Sequence, residues 1–305
     1  MTPRLAVTLS HIDGLSGKGQ ADLLAMAIAA ERAGVDQVVL SEHVTLPAVV
    51  TSHPGARPGD PPGRFPFPSQ EEYPEPLVAL AAIAAVTSRV RLSTNILIAP
   101  LRPAVLLAKM AATVDVLSGG RLDLGVGAGW LKEEFEALGV PFKRLAGQMD
   151  DVIGACQALW KGGPASFTSP TVSFTDMVCA PTPAQAGGIP IWFAGAATVA
   201  TAERIARMGH GWTAIGNTST EDIVSGVALV AKACEKVGRD PASIAIRCSL
   251  PAVRDDSGKA DIVRTVAGRD RLAELGATWV QLPPLAQFVG SVDEVEDVLR
   301  AAVSQ

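Results

Sequence analysis

Cysteine is scarce and scattered in this 305-residue chain: Cys156, Cys179, Cys234 and Cys248 form no C-x-x-C pair and stand at no Cys/His ligand spacing. That argues against a disulfide framework or a zinc centre, so no metal is expected and four buried thiols are. Long apolar runs are also missing. None approaches the roughly 18 to 20 residues that a membrane span needs, and residues 5–9 read as a strand with no signal-peptide pattern before them. A cytoplasmic protein without a membrane partner is the expectation. Basic clusters are absent as well: the net charge is −5 and no stretch concentrates Lys or Arg, which disfavours a nucleic-acid partner. There is no G-x-S-x-G elbow, no H-E-x-x-H and no G-x-x-x-x-G-K-[ST], nor a carboxylate pair where strands end. Hydrolase, metalloprotease and nucleotide triphosphatase readings lose their usual support.

What is present is a large apolar content, 48% hydrophobic against 19% charged residues, arranged in a regular alternation. Short apolar runs at 5–9, 35–41, 90–96, 122–126, 189–193, 212–215, 244–250 and 278–282 read as strands. Between and after them, helical spacing covers 21–33, 77–86, 103–117, 131–138, 145–160, 197–208, 220–237, 259–275 and 292–303. Eight strands, each followed by a helix, predict a single (β/α)8 TIM barrel domain over residues 1–305. A doubly wound open sheet is the alternative, but H-I-D-G-L-S-G-K-G-Q after the first strand does not fit G-x-G-x-x-G. Two insertions interrupt the rhythm. Residues 45–75 are Pro-rich and carry Arg57, Arg64, Phe65, Phe67 and Tyr73, which reads as a lid over the substrate side. Residues 162–188, rich in Ser, Thr and Pro, read as a hairpin plus loop.

A parallel barrel collects its chemistry where the strands end. The second strand delivers Ser41, Glu42 and His43, and a His beside a carboxylate at the barrel mouth suits proton handling. The third ends in Thr94, Asn95 and Ile96, either a bulge that approaches a ligand or an ordinary end with satisfied polar groups. The fourth runs into Gly127, Ala128 and Gly129 and then Trp130, residues with little bulk to hold off a flat ligand. The fifth ends in Ala194, Gly195, Ala196 and Ala197, which suits a phosphate held by backbone N–H groups or, equally, close helix–sheet packing. His210 follows a helix stop and reads as structural. With so few ionisable groups, a flat phosphorylated cofactor would carry the chemistry.

These segments resemble a known family. R-V-R-L-S-T-N-I-L-I-A-P through D-L-G-V-G-A-G-W at 89–130, S-E-H at 41–43, E-A-L-G-V-P-F-K-R at 136–144 and P-I-W-F-A-G-A-A at 190–197 are similar to the luciferase-like monooxygenase superfamily, in particular its coenzyme F420 (deazaflavin) branch. The resemblance implies a cofactor ring across the barrel mouth, backed by a bulge with a non-proline cis peptide at Asn95 to Ile96. Glu42, His43, Thr94, Asn95, Ile96 and Gly127, Ala128, Gly129 and Trp130 would surround the ring. Ala194, Gly195, Ala196 and Ala197 would approach its phosphate, and His43 would be catalytic. It also implies hydride transfer to or from a small organic substrate, and a homodimer. The chain departs from the family's sugar-phosphate dehydrogenases, which place a Trp where it has Pro47 and a catalytic Glu where it has Trp130. The alternatives are an FMN-dependent monooxygenase and a non-catalytic flavin- or deazaflavin-binding protein.

Overall fold

The computed structural model describes residues 2–10, 22–48, 72–215 and 218–305. Most of the insertion expected to be a lid, including Arg57, Arg64, Phe65 and Phe67, lies outside the described residues; Tyr73 lies within them. Strands β1 (Arg4–Thr8), β2 (Gln37–Leu40), β3 (Arg91–Thr94), β4 (Leu97–Ile98) and β5 (Leu122–Gly127) alternate with helices α1 (Leu23–Ala33), α2 (Pro76–Val86) and α3 (Ala104–Leu117). Two helices, α4 (Lys132–Ala137) and α5 (Leu145–Leu159), precede the antiparallel hairpin β6 (Ala165–Thr168) and β7 (Ser173–Met177). Alternation then resumes through β8 (Ile191–Ala194), α6 (Val199–Met208), β9 (Gly211–Thr213), α7 (Thr220–Lys236) and β10 (Ala245–Ser249). The chain continues through α8 (Ile262–Val266), α9 (Arg269–Glu274), β11 (Trp279–Gln281) and α10 (Val295–Val303).

The parallel sheet runs β3-β2-β1-β11-β10-β9-β8-β5-β4, and β3 also pairs with β5, so it closes on itself. Counting β3 and β4 as one interrupted strand, this is the predicted eight-stranded (β/α)8 barrel. Local chemistry explains the elements. The Ala- and Leu-rich α1 stops at Gly34, whose φ of 91° lets its N–H reach back to Ala30 O and Glu31 O. Helix α2 starts on Pro76 with Glu75 accepting from Val78 N at 2.7 Å. The strands are buried on both faces, as parallel strands under helices must be. Leu5, Val7, Val38, Leu40 and Leu92 belong to the core beneath the helices, while Ala6, Val39, Trp192 and Trp279 form a separate cluster.

Two expectations need correction. The helix predicted over 259–275 is two: Ala260 is taken by a bridge to Arg254, Asp261 caps Arg264 N at 3.0 Å, and α8 ends before Gly268. The strand predicted over 90–96 stops at Thr94 and resumes at Leu97. The excursion at 162–188 does contain a hairpin, and the loop after it is pinned against α3. Buried Asp115 accepts from Ala184 N (2.8 Å), Gln185 N (3.1 Å) and Gln185 Nε2 (2.7 Å). Because Gln185 also bonds Leu122 O at the start of β5, this loop covers the N-terminal end of the barrel, away from the strand ends. All four cysteines are buried and free.

Candidate functional site

A pocket of about 920 Å³ opens at the C-terminal ends of the strands. That is within the usual range for a small-molecule or cofactor site. Its polar lining includes Ser41, Glu42, His43, Asn95, Thr213 and Gln281; Leu250, Pro251, Ala252, Leu282, Pro283 and Pro284 supply apolar lining. Among its described lining residues there is no Lys or Arg. No His, Cys, Asp or Glu cluster fit to hold a metal occurs among the described residues, and no described helix is long and apolar enough to cross a membrane.

One wall of the pocket is the break between β3 and β4. Ser93 pairs with Asp123 and Leu97 with Val126, so four steps on one strand match three on the other and one residue is extra. This is a bulge. The Asn95–Ile96 peptide within it is cis. The neighbouring strand makes room for it: a Cβ on Gly125 would stand 1.9 Å from Thr94 O, and one on Gly127 would stand 2.6 Å from Ile96 Cδ1. Thr94 Oγ1 donates to Gly125 O at 2.6 Å, so this hydroxyl serves the wall from behind. Asn95 N donates to Leu40 O (2.7 Å), and Asn95 Nδ2 to Gln281 Oε1 (2.8 Å), whose own Nε2 donates to Thr8 Oγ1 (2.8 Å).

Glu42 holds the far edge of the same wall. It is 5% exposed, accepts from Ile98 N at 2.6 Å and pairs with Arg102. Burial pushes the Glu42 carboxyl above its ordinary value, and the Arg102 bond offsets part of that. Burial acts to lower Arg102, but its bonds to Glu42 and, at 2.5 Å, to Glu75 outweigh it and hold this guanidinium above its ordinary value. Glu42 thus lines the pocket while its carboxylate is committed to the bulge.

His43 is oriented by a residue that pattern reading missed. Glu134 on α4 is fully buried, and its Oε2 lies 3.1 Å from His43 Nδ1. Its Oε1 accepts from Val44 N (2.5 Å) and Thr45 N (3.3 Å), so one carboxylate fixes both the ring and the backbone beyond it. A signal was there. Leu131, Glu134 and Phe135 fall on one helical face, all 0% exposed, so the Glu of E-E-F sits where an apolar residue belongs. Tyr73 and Trp130 each meet the His43 ring edge-on, with centroids 5.1 and 5.8 Å away.

The remaining predicted residues divide. Asn95, Ile96, Gly127, Gly129, Trp130 and Ala194 line the pocket with Glu42 and His43; Thr94, Ala128, Gly195, Ala196 and Ala197 do not. The side-chain space at Gly129 is taken by protein, since a Cβ there would stand 2.7 Å from Ile98 Cγ2 and from Phe135 Cε2. Gly195 N donates to Thr213 O (3.3 Å) and its O accepts from Trp212 Nε1 (3.0 Å), so the backbone of this strand end is turned to sheet and core. His210 accepts from Ile191 N through Nδ1 at 3.1 Å, at the opposite end of the barrel. Ser41 Oγ and Thr213 Oγ1, both lining hydroxyls, are buried without a partner among the described residues. Sequence reading had no means to single out Thr213, Gln281 or Arg102.

A family model described as luciferase-like monooxygenase matches residues 3–275. An uncharacterised protein of Mycobacterium tuberculosis is 33% identical over 206 residues, 68% of this chain and 68% of that protein. The fold is similar to that of the monooxygenase RslO1 from Streptomyces bottropensis (TM-score 0.80, 20% identity, 99% of this chain and 98% of that one). It is also similar to an F420-dependent secondary alcohol dehydrogenase (TM-score 0.78, 15% identity, 100% and 99%).

Proposed function

We propose, from the premise that this chain belongs to the luciferase-like monooxygenase family, that it moves a hydride between the deazaflavin coenzyme F420 and a small, largely apolar organic substrate. Members of the family are oxidoreductases, and the finer reading is supported by what lines the pocket. The observation that carries it is His43, a titratable ring in the pocket wall beside the bulge, held by a buried carboxylate. With Glu134 accepting from Nδ1–H, Nε2 is the His43 atom that would exchange a proton with the substrate. When bound, the deazaflavin would exchange the hydride with a substrate carbon; His43 Nε2 would take the proton from the oxygen on that carbon as the hydride leaves, and return it as a hydride arrives.

The residues present fit such a ring. Asn95 and Ile96 offer a wall stiffened by Gln281 and Glu42, and Ser41 Oγ and Thr213 Oγ1 are hydroxyls still able to bond a ligand. Leu250, Pro251, Leu282 and Pro283 add apolar lining that suits an apolar substrate. A second reading, FMN-dependent monooxygenation, is favoured by the fold's likeness to a type II Baeyer-Villiger monooxygenase in complex with FMN. Absorbance titration of the protein with F420 and with FMN, followed by anaerobic hydride-transfer assays against alcohols and ketones, separates the two. Perturbation of the deazaflavin band together with oxygen-independent turnover is the expected result. Tight FMN binding with no response to F420 would overturn the proposal.

A further inference from the structure

Arg247 has no counterpart in the chemistry above. Among the described residues it is the only guanidinium whose three nitrogens are all buried without an acceptor, and its exposure is 0%. Its place is set by the sheet. Ser249 lines the pocket, and Arg247, two residues earlier on β10, shares that inward face one step deeper. There its guanidinium lies over the Trp192 ring, 4.5 Å from the centroid. Its register partner on β9 is Thr213, which also lines the pocket and whose Oγ1 also lacks a partner among the described residues. Ala194, the next residue across on β8, puts only a methyl group into that wall.

The charge of Arg247 has no bonded counter-ion among the described residues either. Asp123 is the carboxylate that acts on Arg247, yet its hydrogen bonds go elsewhere. Its Oδ2 accepts from Gln37 Nε2 and Arg91 Nε, both at 2.7 Å, and its Oδ1 accepts from Arg91 Nη2 at 2.6 Å. Arg91 is served by Asp123 and also by buried Asp115, whereas Asp123 is the one carboxylate acting on Arg247 among the described residues and is not bonded to it. Burial pushes Arg247 down to about 10, so it still carries its charge at neutral pH. A buried cation without a bonded partner is strongly disfavoured. Water would satisfy its N–H groups but not its charge, whereas an anion does both.

We propose that the floor of the barrel pocket is an anion-binding subsite, in which Arg247 and Thr213 Oγ1 together hold one monovalent anion or the carboxylate of a small organic acid. The subsite stands whichever cofactor the pocket takes, since it rests on neither His43 nor the bulge. The test uses the full chain and sodium bromide as probe. Crystals soaked in bromide should give an anomalous peak within hydrogen-bond distance of the Arg247 guanidinium and Thr213 Oγ1. In solution, bromide at ten times its Kd should raise Tm by about 2 °C, a response weakened in Thr213→Val and lost in Arg247→Met. Arg247→Lys, which keeps the charge, should retain part of it and serves if the methionine variant does not fold. Sodium butyrate distinguishes the two sources: displacement of bromide with the alkyl chain lying in the pocket marks an acid ligand, and bromide retained against butyrate marks a free anion. Water-like density without anomalous signal at Arg247 would overturn the proposal. So would a bromide response equal in wild type and all three variants, which would mean an adventitious ion only.

Discussion

At the N-terminal end of the barrel, Asp123, Arg91 and Gln37 spend their hydrogen bonds on one another, whereas at the C-terminal end Glu42, Glu134 and Gln281 spend theirs on the parts of the pocket wall. Both ends bury carboxylates, and both satisfy them. The lesson lies in what each carboxylate holds. Asp123 ties strands β2, β3 and β5 together beneath the pocket. Nearby Arg121 does similar work, donating to Ala84 O, Thr87 O and Val90 O where helix α2 turns into β3. Glu134 and Glu42 instead fix a ring and a peptide that face a cavity. One end therefore ties the strands together, and the other fixes groups that line the pocket.

The division can be broken by substitution. His43→Asn should lower turnover by about 10²–10⁴-fold, the usual worth of a positioned acid or base. F420 affinity should stay within about threefold, which absorbance titration beside steady-state assays would check. Asp123→Ala should behave oppositely, costing about 4 kcal/mol of stability by leaving buried Arg and Gln groups without their acceptor. Urea melts would read that loss, and turnover per folded molecule should be nearly unchanged; a turnover collapse in this variant would erase the distinction between the ends.

Arg102→Met tests the wall through pH. Removing this partner leaves Glu42 buried, and a loss of about 3 kcal/mol is expected at pH 8. Glu42 already has a raised folded-state pKa, so its folded form binds a proton more readily than the unfolded chain does. The stability it contributes is present below the unfolded value and lost as pH rises through the folded one, so the variant should recover on acidification. Melts between pH 5 and 8 would show the trend, and a flat profile would contradict it. The smallest effect belongs to the other end. Glu31 accepts from Ser88 N, Arg89 N and Val90 N, and these bonds outweigh its burial and hold its pKa below the ordinary value. Its contribution is present above the unfolded pKa and lost as pH falls through the folded one. Being half-buried at the surface and screened by solvent, it is worth less than about 1 kcal/mol, so Glu31→Gln should only flatten the acid limb of the melting curve.

Much of this was legible in the chain itself. Alternating apolar runs and helical spacings identified the barrel, because burial on both faces imposes near-continuous apolar strands. Small residues and His43 at strand ends marked the pocket, since a parallel barrel brings those ends together. The R-L-S-T-N-I-L-I-A-P run pointed to the bulge, and the family it resembles pointed to Asn95–Ile96. Glu134 was hidden, because a carboxylate among E-E-F-E reads as a solvated helix face until Phe135 and Leu131 are seen buried beside it.

What the chain by itself determined is therefore the barrel, the end that carries the pocket and the family. Periodicity and strand-end composition are local properties, and they survive without coordinates. Only the tertiary structure decided which polar groups meet: Asn95 with Gln281 across 186 residues, His43 with Glu134 across 91, and Arg247 with no acceptor among the described residues. Closure of the sheet makes those encounters, and hydrogen bonds operate over about 3 Å, a distance that no spacing along the chain encodes.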